Sequence, residues 1–176
     1  LAAKILFDEL KPGIDPFSSE NKVIFATGPL TGTDAPTSGR IEVVTKSPLT
    51  GIFSDSSAGG LFGASLKRAG YDALIIEGAA EKPVYILIDD DEVDIKDASE
   101  FWGLPVYEAD KKLKSKVAGG FHAAVIGLAG ENLVRFACIC FDIYRQAGRC
   151  GAGAVLGSKK VKAVLVKGTK PVEVAR

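Results

Sequence analysis

Two segments of this chain resemble each other, and this internal repeat restricts the folds that the sequence can adopt. GASLKRAGYDALIIEGAAEKPV at residues 63–84 aligns with GAVLGSKKVKAVLVKGTKPV at residues 153–172. In both, Gly-Ala begins a predicted helix, basic residues end it, and an apolar strand runs to a glycine before Lys-Pro-Val. GPLTG at 28–32 and GLAGE at 127–131 occupy corresponding places upstream. The repeat predicts two βα units related by a pseudo-twofold axis.

We place the two pseudo-repeats at roughly residues 22–98 and 120–176, within one domain that spans residues 1–176. A chance similarity between two helix–strand units is the alternative. A chain of 176 residues suits one domain with a real core. The local patterns predict helices at 1–10, 61–69, 105–117 and 152–159, strands at 22–28, 40–46, 73–78, 122–127, 133–141 and 162–168, a hairpin at 83–97, and long loops at 28–39 and 47–60.

Composition and charge exclude several classes of function. Hydrophobic residues make up 47% of the chain and charged residues 25%, which is typical of a soluble globular protein. Lys plus Arg number 22, as do Asp plus Glu, so there is no basic excess for binding a nucleic acid. No apolar run reaches the roughly 18 residues of a membrane span. Three cysteines are too few for a disulfide framework. We therefore expect a cytoplasmic protein without a nucleic-acid or membrane partner.

The start of the sequence is unusual. Leu1 lies inside an apolar helical pattern without an N-cap residue before it, and the chain contains no Met. We interpret the chain as a piece of a longer protein, truncated at its start, and we expect catalytic parts to lie elsewhere.

A Gly-rich loop precedes the helix of each repeat. These loops are SDSSAGG at 54–60 and RQAGRCG at 145–151. A helix N-terminus presents unpaired N–H groups and about half a positive charge. Two such ends around one dyad predict a paired anion site, suited to two phosphates or to one ligand with two phosphate-bearing arms. Neither the Walker nor the dinucleotide fingerprint fits the second loop.

Arginines accompany these loops. Arg40 begins a predicted strand after the loop at 28–39, and Arg145 and Arg149 flank Gly148. A planar guanidinium binds phosphates and flat polar groups bidentately. Surface salt bridges are the alternative for each of these arginines.

The cysteines and the single histidine do not form a recognisable metal site. Cys138 and Cys140 lie two apart in a predicted strand, and Cys150 and His122 have no ligand spacing relative to them. We interpret the cysteines as small buried residues and His122 as a satisfied or surface histidine. The acidic run at 89–91 is interpreted as a solvated turn rather than a metal site. We predict no catalytic centre within this chain.

Several long motifs, in order, resemble one family. They are FATGPLTGTDAPTSGRIEVVTKSPLTG at 25–51, GGLFGASLKRAGYDALIIEGAAEKPVYI at 59–86, IGLAGENLVRFA at 126–137 and AGRCGAGAVLGSKKVKAVLVKGT at 147–169. They resemble the N-terminal domain of tungsten-containing aldehyde:ferredoxin oxidoreductases over the whole chain. In that family further residues precede the position of Leu1.

The resemblance implies a fold and a set of cofactors. The fold is of the α+β class, a β-rich pseudo-twofold duplication with two sheets and short helices. The cofactor is a tungsten bis-pterin (tungstopterin), with molybdenum as the less expected metal. A magnesium ion (Mg2+) joins the phosphates of the two pterins near the dyad, and a 4Fe-4S cluster has its ligands outside this chain.

The resemblance also implies site residues. Arg40 matches an arginine that lies between pterin and cluster, and the backbone carbonyls of Ser57 and Gln146 correspond to magnesium contacts. Ser57 and Gln146 depart from the family's usual asparagine and alanine, so only backbone contacts carry over directly. The cofactor-binding positions together are Arg40, Ser57, Gly59, Arg145, Gln146 and Gly148.

For function, the resemblance implies oxidation of aldehydes to carboxylic acids, with electrons passing to ferredoxin or a similar acceptor. The fragment alone is expected to be inactive, and its partners are the helical domains of the parent enzyme, in an oligomer. Another tungsten–pterin reaction, such as reduction of an aromatic thioester, is one alternative. A non-redox module that binds an anion or nucleotide is another, and a C-x-x-C-x-x-x-C segment downstream in the gene would decide against it.

Overall fold

A computed structural model describes residues 1–174 and contains two β-sheets and five short helices. The helices are α1 (Ala2–Glu9), α2 (Phe62–Arg68), α3 (Val106–Ser115), α4 (Leu128–Glu131) and α5 (Ala152–Ser158). The strands are β1 (Val23–Thr27), β2 (Ile41–Lys46), β3 (Phe53–Ala58), β4 (Ala73–Ile76), β5 (Val84–Asp89), β6 (Glu92–Asp97), β7 (His122–Val125), β8 (Ile139–Phe141), β9 (Arg145–Ala147) and β10 (Val161–Lys167). Within residues 1–174, no helix combines the length and the apolar character that crossing a membrane requires.

The first sheet and four strands of the second have the same strand order. The first sheet runs β3-β2-β1-β4 and is antiparallel throughout. In the second sheet, β6-β5-β10-β7-β8-β9, the strands β7, β8, β9 and β10 repeat the arrangement of β1, β2, β3 and β4. A helix, α2 or α5, precedes the last strand of each unit. The α+β class with two sheets and short helices is confirmed, and the common order supports the duplication, whose boundaries stay a prediction.

Three aromatic rings join the sheets. Phe25 lies on β1, Phe62 begins α2, and Phe141 lies on β8 of the other sheet. Their ring centroids are 5.1 to 6.1 Å apart, and both pairs with Phe141 are edge-to-face. Such pairs contribute about 0.5–1.5 kcal/mol beyond the area they bury. The cluster therefore fixes the two sheets relative to each other.

Glycines bring α5 close to its neighbours. A Cβ at Gly157 would overlap the carbonyl oxygen of Gly130 in α4, and a Cβ at Gly153 would overlap that of Cys138. Side chains from Ala152 to Gly157 are buried. Because α5 has no space to shift, the segment that leads into it from β9 is also held in place.

Strand β3 lies within a segment predicted as loop, and that prediction is wrong for residues 53–58. The segment is rich in Ser and Asp, which lack an intrinsic preference for strands. It pairs with β2 in unbroken register, from Ile41 opposite Ala58 to Lys46 opposite Phe53. Burial alternates along it, as expected for a sheet with one solvated face. Pairing with a buried neighbour therefore imposes the strand.

The strand predicted at 133–141 is also only partly correct. Residues 128–131 form α4, and Leu133 adopts a left-handed conformation with φ of 56°. A branched side chain rarely adopts that conformation, and it ends any regular element. The strand begins only at Ile139, and the short strand β9 that follows was not predicted.

Candidate functional site

A polar cavity of about 480 Å³ lies between the ends of β3 and β9. The loop before β2 closes it on a third side. Its wall consists of Thr37, Gly39, Arg40, Ser57, Ala58, Gly59, Gly60, Tyr144, Arg145 and Gln146. The two Gly-rich loops of the repeat therefore face one space.

Five of the six residues expected from the resemblance line this cavity. They are Arg40, Ser57, Gly59, Arg145 and Gln146. Gly148 is exposed two residues beyond Gln146, outside the wall. Thr37, Gly39 and Tyr144 belong to the wall although no sequence pattern singled them out.

The wall is built from strand ends rather than from helix N-termini, which differs from the prediction. The first turns of α2 and α5 are largely buried in the core. One hydrogen bond joins the loops that precede them, and Gly60 of the first loop lies beside the Arg145 side chain. The backbone N–H of Arg149 donates to Ser56 Oγ at 3.1 Å, and a Cβ on Gly60 would lie 3.5 Å from Arg145 Cγ.

The arginines at this site are not neutralised by the protein. Arg40, Arg145 and Arg149 are exposed. In residues 1–174, every ion pair uses a lysine or His122, so none of the three arginines has a carboxylate within 4.0 Å. The surface salt bridges that were the alternative explanation are therefore not found in the described part of the chain. Unpaired guanidinium groups beside a cavity favour an anionic ligand.

The backbone of the wall allows close approach. A Cβ on Gly59 would meet no atom within 4 Å, so packing does not require glycine there. Gly39 differs, because its Cβ would lie 3.0 Å from the carbonyl oxygen of Gly60. Glycine at position 59 leaves room for a ligand against the main chain, while Gly39 lets two wall segments touch.

Two β-branched residues at the site have a strained backbone. Thr37 in the wall has φ of 61°, and Ile143, next to the wall residue Tyr144, has φ of 59°. The left-handed conformation is a genuine outlier for such side chains. Strain of this kind persists where the surrounding structure imposes it, and it clusters at functional sites.

A second cavity, of about 780 Å³, adjoins the first at Thr37 and Arg40. It is bounded by α1 and by the outer faces of β1, β2 and β3, and Glu42 and Asp55 contribute its acidic groups. Ser57 is a wall residue of the first cavity, and its hydroxyl donates a hydrogen bond to Oε1 of Glu42, which lines the second. The two cavities therefore share a polar boundary.

The amide of Gln146 lies between two thiols. Cys138 Sγ is 3.1 Å from Gln146 Oε1, and Gln146 Nε2 is 3.0 Å from Cys140 Sγ. Burial raises the pKa of the Cys140 thiol, so its ionised form is disfavoured. These contacts hold β9 against β8 and so position Arg145.

His122 and the acidic turn, which were also considered as metal ligands, have partners in the protein. His122 Nδ1 lies 2.8 Å from Asp142 Oδ2. Burial acts to raise the pKa of Asp142, but hydrogen bonds from His122 and the Ala123 N–H outweigh it and lower that pKa. In the acidic turn, Asp90 accepts hydrogen bonds from Thr169. Within residues 1–174, no group of three or more His, Cys, Asp or Glu side chains is arranged to hold a metal ion.

Comparison with known proteins identifies relatives along almost the whole chain. The profile described as aldehyde ferredoxin oxidoreductase, N-terminal domain, matches residues 1–168. A tungsten-containing aldehyde ferredoxin oxidoreductase of Pyrococcus horikoshii is 58% identical over 97% of this chain and 28% of that relative. Its counterpart in Pyrococcus furiosus is 54% identical over 99% of this chain and 29% of that relative. The chain thus spans less than a third of the length of these relatives.

A solved structure has the same fold. It is the active site complex BamBC of benzoyl coenzyme A reductase, in complex with 1,5-dienoyl-CoA. The TM-score is 0.94 with 43% sequence identity, over 97% of this chain and 26% of that chain. Another relative, described as the WOR-like subunit of an aliphatic sulfonate oxidoreductase from P. furiosus, is 40% identical over 90% of this chain and 27% of that relative.

Proposed function

The chain belongs to the aldehyde ferredoxin oxidoreductase family, and we propose that it is the domain that binds a tungsten bis-pterin cofactor in an enzyme that oxidises aldehydes to carboxylic acids. One observation carries the proposal. Arg40 and Arg145 face a single cavity without carboxylate partners among residues 1–174, at the place where the two halves of the duplication meet. In this proposal the electron acceptor is ferredoxin or a similar protein, and the ligands of a 4Fe-4S cluster would lie outside this chain.

The residues of the cavity fit such a cofactor. The unpaired guanidinium groups of Arg40 and Arg145 supply bidentate donors for phosphates or for the flat polar edge of a pterin. Gly59 leaves the main chain accessible. In this proposal the backbone carbonyls of Ser57 and Gln146 would hold a magnesium ion, which would offset the charge of the phosphates. Gly148, outside the wall, contributes only through the conformation of the loop.

When bound, the tungsten supplies the two-electron redox chemistry, and the protein supplies position and electrostatics. In this proposal the residues of this chain bind the cofactor and orient it. Each charge-assisted hydrogen bond from an arginine contributes about 1.5–3 kcal/mol. The Gln146 amide holds β9, and with it Arg145, against the thiols of β8. By itself the domain is therefore expected to bind cofactor and to be inactive.

Reduction of an aromatic thioester is a second candidate, supported by the fold and the 43% identity shared with the benzoyl coenzyme A reductase complex. The aldehyde ferredoxin oxidoreductases are more similar in sequence, at 54% and 58% identity. We therefore place aldehyde oxidation first. Membership of this family also counts against a stand-alone module without redox function.

The test is cofactor analysis of the full-length protein, purified without oxygen. We expect tungsten and pterin in the wild type and a loss of about ten-fold or more in cofactor retention for Arg145→Ala, since 1.4 kcal/mol corresponds to a factor of ten. Arg68→Ala, at an exposed arginine on α2, is the matched control and should retain cofactor. Assays with an aldehyde and ferredoxin, and with an aromatic thioester and a strong reductant, separate the two reactions. A wild type without tungsten and pterin would refute the proposal.

A further inference from the structure

Glu42 and Ser57 face each other across β2 and β3. The Ser57 hydroxyl and Glu42 Oε1 are joined by a hydrogen bond. An ionised carboxylate can only accept, so the hydroxyl must be the donor in this bond. The single proton of Ser57 is therefore directed at Glu42, which lies outside the wall of the first cavity. What the hydroxyl can present to the cavity is its lone pairs.

The second oxygen of Glu42 is in an unusual position. In residues 1–174, two buried side-chain oxygens lack a hydrogen-bond partner, Glu42 Oε2 and Asp110 Oδ1. The Asp110 oxygen lies 3.0 Å from the ammonium of Lys114. No cation of the described chain lies within 4.0 Å of Glu42. Glu42 is only partly buried and its Oε1 is bonded to Ser57, but the buried Oε2 has no partner, and such an atom in the wall of the adjoining second cavity calls for an explanation.

We propose that Glu42 is a positioning residue that makes the Ser57 hydroxyl a hydrogen-bond acceptor toward the first cavity. The part of that cavity next to Ser57 then binds an electropositive group. That group is an N–H donor of the ligand or a water molecule held by a divalent cation. The phosphates then lie at the end where Arg40 and Arg145 provide donors. The inference rests on the proposed function for the identity of the ligand, but the polarity of Ser57 follows from the hydrogen bond alone.

Glu42→Gln changes this polarity with little change of shape. The amide of glutamine can donate to Ser57 Oγ, which frees the hydroxyl proton to turn into the cavity. The variant also removes the uncompensated charge. Ligands that present an electropositive group should bind the variant more weakly than the wild type. Ligands that can only accept hydrogen bonds should bind it more tightly.

The first experiment measures the rate of cofactor release from the full-length protein. We expect Glu42→Gln to release pterin about ten-fold faster than the wild type, the effect of roughly 1.4 kcal/mol. Glu92→Gln, on the exposed strand β6, makes the same change of charge and should release cofactor at the wild-type rate. In a Ser57→Ala background Glu42→Gln should have no further effect, because Glu42 acts through the hydroxyl. Additive effects, or a wild-type rate for Glu42→Gln, would overturn the inference.

A chelator separates the two sources of the electropositive group. If the effect of Glu42→Gln disappears when magnesium is removed, the group is a water held by the cation. If the effect persists, the group is an N–H of the pterin. Circular dichroism of each variant establishes that it has folded.

The second experiment uses cofactor-free protein with inorganic pyrophosphate, without divalent cations, in a calorimeter. Glu42→Gln should bind pyrophosphate about three-fold or more tightly, because Ser57 can now donate to it and a repelling charge is gone. Unchanged or weaker binding contradicts the inference. This result does not depend on tungsten or pterin. Failure of the proposed function, seen in the cofactor analysis of the wild type, is therefore distinguishable from failure of this inference.

Discussion

The backbone N–H of Arg149 donates a hydrogen bond to the hydroxyl of Ser56, 3.1 Å away. Ser56 lies on β3 of the first sheet, and Arg149 follows β9 of the second. Only 5% of Ser56 is exposed, whereas Arg149 is exposed, so the bond is partly buried. It connects the two loops that form the cavity, and it provides a direct way to test whether the site depends on their alignment.

Ser56→Ala should lower the free energy of unfolding by about 1–3 kcal/mol, because it leaves the Arg149 N–H without its partner. It should also weaken cofactor retention in the full-length protein. Ser54→Ala is the matched control, since Ser54 is equally buried but bonds to Thr45 within one sheet. The control should lose stability without losing cofactor. Equal loss of cofactor in both variants would show that the link between the sheets has no special role.

Cofactor retention should depend on the planar shape of the Arg40 guanidinium as well as on its charge. Arg40→Ala is expected to reduce the tungsten content of the full-length protein and its aldehyde oxidation with ferredoxin. Two lost charge-assisted hydrogen bonds of about 1.5–3 kcal/mol each predict a large effect. Arg40→Lys keeps the charge without the planar fork and should rescue only in part. Full metal content and normal turnover in Arg40→Ala would make Arg40 an ordinary surface residue.

The three cysteines should not bind the iron–sulfur cluster. Cys138 and Cys140 contact the Gln146 amide, and the Cys150 carbonyl accepts a hydrogen bond from Ser47 in another part of the loop region. Replacing all three with Ala in the full-length protein should leave iron per chain unchanged, as measured by elemental analysis. A folded triple variant whose iron content falls in proportion to the cluster ligands removed would refute this prediction.

Close packing of α4 and α5 should make Gly157 intolerant of any side chain. Gly157→Ala is expected to destabilise the fold by about 1–3 kcal/mol or more, because the new methyl group would overlap Gly130. Gly119→Ala is the control, since a Cβ there meets no atom within 4 Å. Urea unfolding of the two variants should therefore differ clearly. Equal stabilities would show that α5 can move away from α4.

Lys159 should make stability depend on pH in the alkaline range. Burial lowers its pKa from 10.5 to about 8, with Glu77 opposing and Lys22 reinforcing the shift. Its ammonium donates to the carbonyls of Ser19 and Gly78 at 3.0 and 2.9 Å. Between these two pH values the unfolded chain binds the proton and the folded chain does not. Stability therefore rises with pH across this window, by up to about 3 kcal/mol from this residue.

The measurement compares urea unfolding of the wild type and Lys159→Met at about pH 7.5 and pH 10. In the variant, the free energy of unfolding should rise less between these two pH values, because the contribution of Lys159 is missing. Lys160→Met, at the exposed neighbouring lysine, should behave like the wild type. If the wild type and Lys159→Met change in parallel, burial does not shift the pKa of Lys159.

The sequence predicted the strands whose own residues favour extended structure, such as β1, β2 and β10. It failed for β3, because Ser and Asp carry no such preference and the strand exists only through its pairing with β2. Helix α4 was missed because four residues are too few to show a helical period. The order of strands in the two sheets depends on contacts between distant parts of the chain, which periodicity does not report.

The candidate site was predictable to the extent that the chain resembles a family. Arg40 and Arg145 were expected from that resemblance and line one cavity. Glu42 was missed for a physical reason. It lies inside a predicted core strand, and its partner Ser57 lay in a segment predicted as loop. Their pairing becomes visible only when β3 is known to lie beside β2.

The position of the cavity has a consequence for how the protein is made. One part of the wall comes from the loop before β2 and from the end of β3, and the other comes from Tyr144 and the start of β9, much later in the chain. A nascent polypeptide that has emerged from the ribosome only as far as β6 lacks the wall residues Tyr144, Arg145 and Gln146, so it cannot hold a ligand from both sides of the cavity. In the proposed function, a cofactor held by both parts of the wall loads only after synthesis has passed β9 and the second sheet has formed. A ligand that binds only this finished fold would stabilise it by an amount set by the ratio of ligand concentration to Kd, and an incompletely folded chain would not retain that ligand or its metal.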